Sequence, residues 1–250
     1  MPGLSNLTLF TNTHSSCRDV WPMYLGQLEK HWPGHPPHVI ANDTLDLFDR
    51  SEGYAKYNPA DPFSQQYLQG LSAVDTEFVL TMQEDFVLYE DVDVSVLDEI
   101  VQWLAGAQNR KIKGEAFIRL IFSGMGRRPQ INPIRLQCES TRDAAYPYSM
   151  QATIWRTDAL RELYKTIDAS TPWDAEQQGC QHISHHGAAL YDGGKQRGRD
   201  HWDSLCFPYI STALVRGKWN LQEYAKELTP LLSEYGIDPE LRGTTEAVDV

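Results

Sequence analysis

Short apolar runs alternate along this chain with longer stretches whose apolar residues fall at helical spacing. Leu7 to Thr11 (LTLFT) reads as a buried strand, and Val20 to His31 repeats its apolar residues as a helix does, which predicts a β-then-α opening. His38 to Ala41 (HVIA) predicts a second strand ending in Asn42-Asp43. Residues 46–63 carry Gly53, Pro59 and Pro62 among polar and aromatic positions and predict a long loop, followed by a helix from Ser64 to Val74. The clearest strand is Glu77 to Met82 (EFVLTM), an apolar run of the kind buried in a parallel sheet, which stops at Gln83-Glu84-Asp85.

The alternation continues. Val94 to Ala107 predicts an amphipathic helix, Ala116 to Phe122 a strand, Tyr148 to Trp155 a strand, and Asp158 to Thr166 a helix. Ser170 to Gln181 predicts another helix, with Pro172 in its first turn. Residues 182–203, rich in His and Gly, predict a mobile loop over a site. Phe207 to Leu214 returns as a strand and Leu221 to Tyr235 as a terminal helix. The order implies one α/β domain over residues 1–242, with 243–250 (GTTEAVDV) as a flexible tail too poor in apolar residues to pack.

Composition narrows the class. With 41% hydrophobic residues the chain can offset the ordering entropy of a large core. The first residues, MPGLSNLTLFTN, lack the basic and apolar regions of a signal peptide, and no run approaches the roughly 18 to 20 apolar residues of a membrane span. A soluble, cytoplasmic protein is expected. Cys17, Cys138, Cys180 and Cys206 lie far apart with no CxxC pair, so reduced thiols are expected. A net charge of -12 works against a nucleic-acid backbone, although Lys195, Arg197 and Arg199 form one short basic segment.

Ligands of such sheets bind outside the carboxyl ends of the strands, where Glu84 and Asp85 fall. Carboxylate oxygens there suit a hard divalent cation; equally, they are common caps of a loop or a helix. Arg119 on a strand, with Arg127 and Arg128 in the next loop, carries the guanidinium geometry that matches phosphate oxygens. Thr171 with Asp174 is also a helix N-terminal signature. His182 and His186 have the i, i+4 spacing of a helical zinc pair, with His185 and His201 nearby, but HISHHG lacks the glutamate of HExxH. Among the tryptophans 155, 173, 202 and 219, only Trp173 falls beside candidate chemistry; large aromatics are otherwise core.

LTLFT, VIANDT, DTEFVLTMQEDFVLYEDVD, YPYSMQATIWRTDALRELY, STPWDAE and FPYISTALVRGKWN, in that order, resemble a bacterial and viral group of GT-A glycosyltransferase-like proteins over about Leu7 to Asn220. The resemblance implies a GT-A-like (Rossmann-like), mostly parallel sheet flanked by helices. It also implies a nucleotide-diphospho-sugar donor, a UDP-sugar first, with Mn or Mg. Thr11, Asn12 and Asp43 would contact the nucleoside, although NDT is equally a good turn. Glu84 and Arg119 would meet the phosphates. Gln83-Glu84-Asp85 departs from the usual Asp-x-Asp, which leaves Asp85 as the candidate metal ligand. Asp174 or Glu176 would be the general base of an inverting transfer to a hydroxyl acceptor. That acceptor would be a glycan, a lipid-linked sugar or a modified DNA base. Two other readings are a histidine-dependent metallohydrolase on residues 182–201 and a module that binds nucleotide sugar without turnover.

Overall fold

A computed structural model describes residues 4–44, 53–107, 115–121, 130–131, 138–141, 144, 146–190, 195–197 and 201–245. The elements in chain order are β1 (Leu7–Asn12), α1 (Trp21–His31), β2 (His38–Asn42), β3 (Tyr54–Lys56), α2 (Phe63–Leu71), β4 (Phe78–Gln83), β5 (Val87–Leu88), α3 (Val94–Ala107), β6 (Phe117–Arg119), β7 (Gln130–Ile131) and β8 (Cys138–Ser140). They continue with β9 (Thr153–Arg156), α4 (Thr157–Thr166), α5 (Pro172–His182), β10 (Gly187–Leu190), β11 (Gln196–Arg197), β12 (His201–Trp202), β13 (Tyr209–Ile210), β14 (Leu214–Val215), β15 (Lys218–Trp219) and α6 (Leu221–Glu234). Among the described residues the central sheet has nine strands, in the order β3-β2-β1-β4-β9-β6-β10-β8-β7. β9 and β8 run against the other seven. This is the expected mostly parallel α/β sheet flanked by helices.

Both faces of the sheet are covered, which is why its strands read as continuous apolar runs. Leu7, Leu9, Leu80, Ile118 and Ile154 share one core with Tyr24 and Leu28 of α1 and with Leu97, Ile100 and Leu104 of α3. On the other side Phe10, Val79, Phe117 and Trp155 share a core with Tyr67 and Leu71 of α2 and with Leu160 and Tyr164 of α4. Successive residues of β1, β4 and β9 therefore serve opposite cores, as the two-residue period of a strand requires. A third cluster joins Val20 and Met23 to Trp219, Tyr224 and Leu228 and so packs α6 near α1.

Several elements depart from the pattern. Residues 54–56, inside the expected loop, add β3 to the edge of β2. β9 inserts antiparallel between β4 and β6: the chain crosses over through α3 to reach β6, and the gap left beside β4 is filled by a later strand running back. The expected mobile loop at 182–203 instead contains β10, whose four residues are all buried beside β6; positions 191–194 and 198–200 lie outside the described residues. The strand expected at 207–214 shortens to Tyr209–Ile210, paired with β5. At the start of the expected tail, Trp219 donates to Gly243 O and Thr245 donates to Trp219 O. Backbone pairing of this kind needs no apolar side chain.

Gly179 lets α5 lie directly on the Tyr148 ring, since any Cβ there would overlap that ring. Gly179→Ala should therefore lower stability by about 1 to 3 kcal/mol, the usual cost of overpacking. Gly106 in α3 has open space around it, so Gly106→Ala should raise stability by about 0.5 to 1 kcal/mol. Urea titration of the two variants checks both signs.

Candidate functional site

β1, β2 and β4 lie side by side and parallel, with Asn12 opposite both Ala41 and Gln83, so their carboxyl ends form one edge. A cleft of about 280 Å³ opens there. Its walls are Asn12, Thr13 and His14 after β1, Gln83 and Glu84 after β4, Tyr57, Phe63 and Gln66 around the start of α2, and Met150 with Ser170, Thr171 and Pro172 at the start of α5. The structure thus brings Asn12, Glu84 and the Ser170–Pro172 segment together from three distant parts of the chain.

The loop after β1 is pinned. Asp43 accepts from Ser15 N (2.7 Å) and Ser15 Oγ (2.6 Å), Tyr57 Oη donates to Thr13 O (2.7 Å), and Trp21 Nε1 donates to Thr13 Oγ1 (2.9 Å). Against the effect of burial, the two Ser15 bonds hold the Asp43 carboxyl below the ordinary carboxylate range. Thr11 turns inward: its buried Oγ1 is bonded to Tyr24 Oη (2.6 Å) and His38 Nε2 (2.8 Å). Burial, with His35 nearby, brings the His38 pKa down to about 3, so the ring is neutral.

Glu84 and Asp85 point to different neighbours. Glu84 lines the cleft; burial raises its pKa, against the opposing effect of hydrogen bonds from Cys17 and Thr13 side chains. Asp85 is buried, and its Oδ2 accepts from Leu214 N at 3.3 Å. Burial first, and the Glu84 charge second, push the Asp85 pKa up to about 8. Asp85 Oδ1 and Asn12 Oδ1 are buried without a hydrogen-bond partner among the described residues. Asn12 and Glu84 share the cleft lining and Asp85 does not; oxygen donors such as a carboxylate and an amide oxygen are the type that suits Mg or Mn, which is commonly held by one or two carboxylates together with substrate phosphates. Among the described residues no three His, Cys, Asp or Glu side chains cluster as an all-protein metal cage.

At the other wall, Asp174 and Glu176 both have partners. Thr171 Oγ1 accepts from Asp174 N (3.1 Å), and Asp174 accepts from Ser170 N (2.9 Å) and Gln178 Nε2 (2.9 Å). This cap lowers the Asp174 pKa, the Ser170 backbone bond first. Glu176 accepts from Met150 N (2.6 Å) and Tyr146 Oη (2.7 Å) and so fixes the Met150 side of the cleft. Arg119 is buried and donates to Pro147 O (3.1 Å); burial lowers its pKa while the charge of Glu176 favours the guanidinium. Arg127 and Arg128 lie outside the described residues.

The histidines disperse. α5 ends at His182, so His182 and His186 share no helical face. His185 pairs with Glu162 (2.9 Å) and His201 with Glu223 (2.7 Å). Arg197 of the basic segment is held between Asp203 (2.9 Å) and Glu227 (2.8 Å); Arg199 lies outside the described residues. Cys17, Cys180 and Cys206 are free thiols, and no helix is long and apolar enough to cross a membrane among the described residues. Tyr57, Gln66 and Met150 were missed in the sequence because each is an ordinary residue whose place in the cleft depends on distant contacts.

No protein-family model and no curated relative matches the sequence. Solved structures resemble the fold loosely. The bifunctional IspDF from Campylobacter jejuni is 13% identical with a TM-score of 0.44, covering 81% of this chain and 52% of its own. S. aureus TarS 1–349 is 12% identical with a TM-score of 0.46, covering 92% and 65%. The chain thus spans about half of the former and just under two thirds of the latter. A cytidylyltransferase from Leptospira borgpetersenii is 11% identical with a TM-score of 0.45, covering 97% and 99%. Likeness at this level concerns general architecture only.

The raised Asp85 pKa has a testable sign. Its folded value of about 8 lies above the unfolded value of about 3.9, so the native state keeps the proton longer. This carboxyl therefore costs stability progressively as pH rises from about 4 towards 8. Asp85→Asn removes that cost, so the melting temperature of the variant should gain on wild type between pH 5 and pH 8. A constant difference would show that Asp85 ionises as in the unfolded chain.

Proposed function

We propose that this chain is a glycosyltransferase that moves a sugar from a nucleotide-diphospho-sugar, UDP-linked by first preference, to a hydroxyl acceptor with inversion. The observation that carries the reading is the cleft itself: a carboxylate at a parallel strand end, an unpartnered amide oxygen beside it, and a capped helix start facing both. Glu84, Asn12 and Asp85 would hold Mn or Mg against the donor diphosphate. Bound there, the cation would neutralise the leaving nucleoside diphosphate.

His14, Tyr57 and Gln66 line the side of the cleft where the β1 loop meets α2, and this side takes the nucleoside. Thr11 and Asp43 act behind it, Thr11 from the core and Asp43 by pinning Ser15. Across the cleft the acceptor meets the α5 wall. Asp174 is the general base: it lies in the first turn of α5, two residues beyond the lining residue Pro172, and a carboxylate suits the removal of the acceptor's hydroxyl proton. Glu176 positions Met150 and keeps Arg119 charged behind the site.

A thermal-shift panel of UDP, UDP-sugars, CTP and UTP, with and without Mn or Mg, tests the donor site, because a ligand specific to the folded state raises the melting temperature. A metal-dependent rise with a UDP-sugar is expected, and Glu84→Gln should abolish it. Asp174→Asn should cut transfer by about 10² to 10⁴ while leaving that rise intact. A rise with CTP or UTP alone, or unchanged transfer in Asp174→Asn, would overturn the assignment.

A further inference from the structure

Tryptophan is spent on the core in most of this protein: Trp32, Trp155 and Trp219 are each at most 2% exposed. Trp173 is 70% exposed. It contributes almost nothing to burial, yet its backbone is among the most constrained near the cleft. Pro172 precedes it at the first helical position, Thr171 caps the amide of Asp174, and the Asp174 carboxylate ties back to Ser170 N. Behind it Ala175 is buried and Gly179 lies against Tyr148. Trp173 thus follows, in a fixed helix start, directly on the three α5-side lining residues Ser170, Thr171 and Pro172, with its indole open to solvent. Across that cleft Asn12 presents a buried oxygen without a partner among the described residues, as a space that takes a polar ligand would.

We propose that Trp173 is an acceptor platform beside the cleft, stacking on the ring of a neutral glycan. The inference rests on the glycosyl-transfer reading and extends it to the class of acceptor. The negative π-face of an indole attracts the slightly positive C–H face of a pyranose, by the same electrostatics that draw cations to aromatic rings. A nucleobase also stacks on tryptophan, but its phosphates would need basic neighbours. No Lys or Arg occurs from residue 166 to 194, whereas Asp168 and Asp174 flank the platform. The absence of basic residues from the platform's own segment favours an uncharged ring over a nucleic acid.

The test uses the full chain with chitotriose, cellotriose, maltotriose and a twelve-nucleotide oligo-dT as probes. Binding is read by calorimetry and by protection of Trp173 from oxidation, followed by mass spectrometry. Wild type should bind at least one trisaccharide and protect Trp173. Trp173→Ala should weaken that binding at least tenfold, and Trp173→Phe should keep most of it. The UDP–Mn thermal shift should stay unchanged in both variants, which separates loss of the platform from loss of the fold. Equal trisaccharide affinity in Trp173→Ala, no trisaccharide binding by wild type, or protection by oligo-dT alone would overturn the proposal. Trp173-dependent glycan binding without any nucleotide shift would leave the platform standing and remove the transferase reading instead.

Discussion

Two consecutive carboxylates at the end of a buried strand set the terms for the rest of this molecule. Glu84 and Asp85 lose hydration together, which raises both pKa values, and the charge of Glu84 raises that of Asp85 further. The fold answers from two sides. The segment between β1 and α1 places Cys17 and Thr13 over Glu84, and the turn before β14 supplies Leu214 N to Asp85. Ala213 N also donates to the Asp85 carbonyl. Through these holds the C-terminal part of the chain is drawn onto the first helix, where Trp219, Tyr224 and Leu228 complete a core with Val20 and Met23. Asp85 Oδ1 and Asn12 Oδ1 are still without a hydrogen-bond partner among the described residues.

The other acidic residues of the site serve as clamps. Asp43 fastens the β1 loop, Asp174 locks the first turn of α5, and Glu176 bridges Tyr146 and Met150 while facing the buried charge of Arg119. A cleft walled by such clamps is rigid before any ligand arrives, and the geometry needed for a displacement reaction benefits from that pre-organisation. Among them Asp174 lies next in sequence to an exposed aromatic, Trp173. On the opposite side Glu84 sits deep against Thr13 and Cys17.

Local chemistry made parts of this readable from residues alone. β1, β4 and α3 were legible because each buries a long, regular apolar pattern, and α3 spans Val94–Ala107 as its spacing predicts. The helix signature at Thr171–Asp174 was legible because a cap is a contact between neighbours in sequence. β3 and β10 were not, since three- and four-residue strands among polar neighbours carry too little periodicity to separate from loop. The orientation of β9 was not, because alternation along a strand is the same whether it runs with its neighbour or against it.

The sequence by itself determined that a mostly parallel α/β sheet forms and that an acidic pair ends its central strand, because hydrophobic periodicity and strand ends are local properties. Only the tertiary structure decided which carboxylate faces the cleft, that His182 and His186 part company, and that Trp173 stands open to solvent rather than in the core. Those outcomes depend on packing between segments up to about 160 residues apart in the chain, such as Asn12 and Ser170, and no local pattern encodes a distance of that kind.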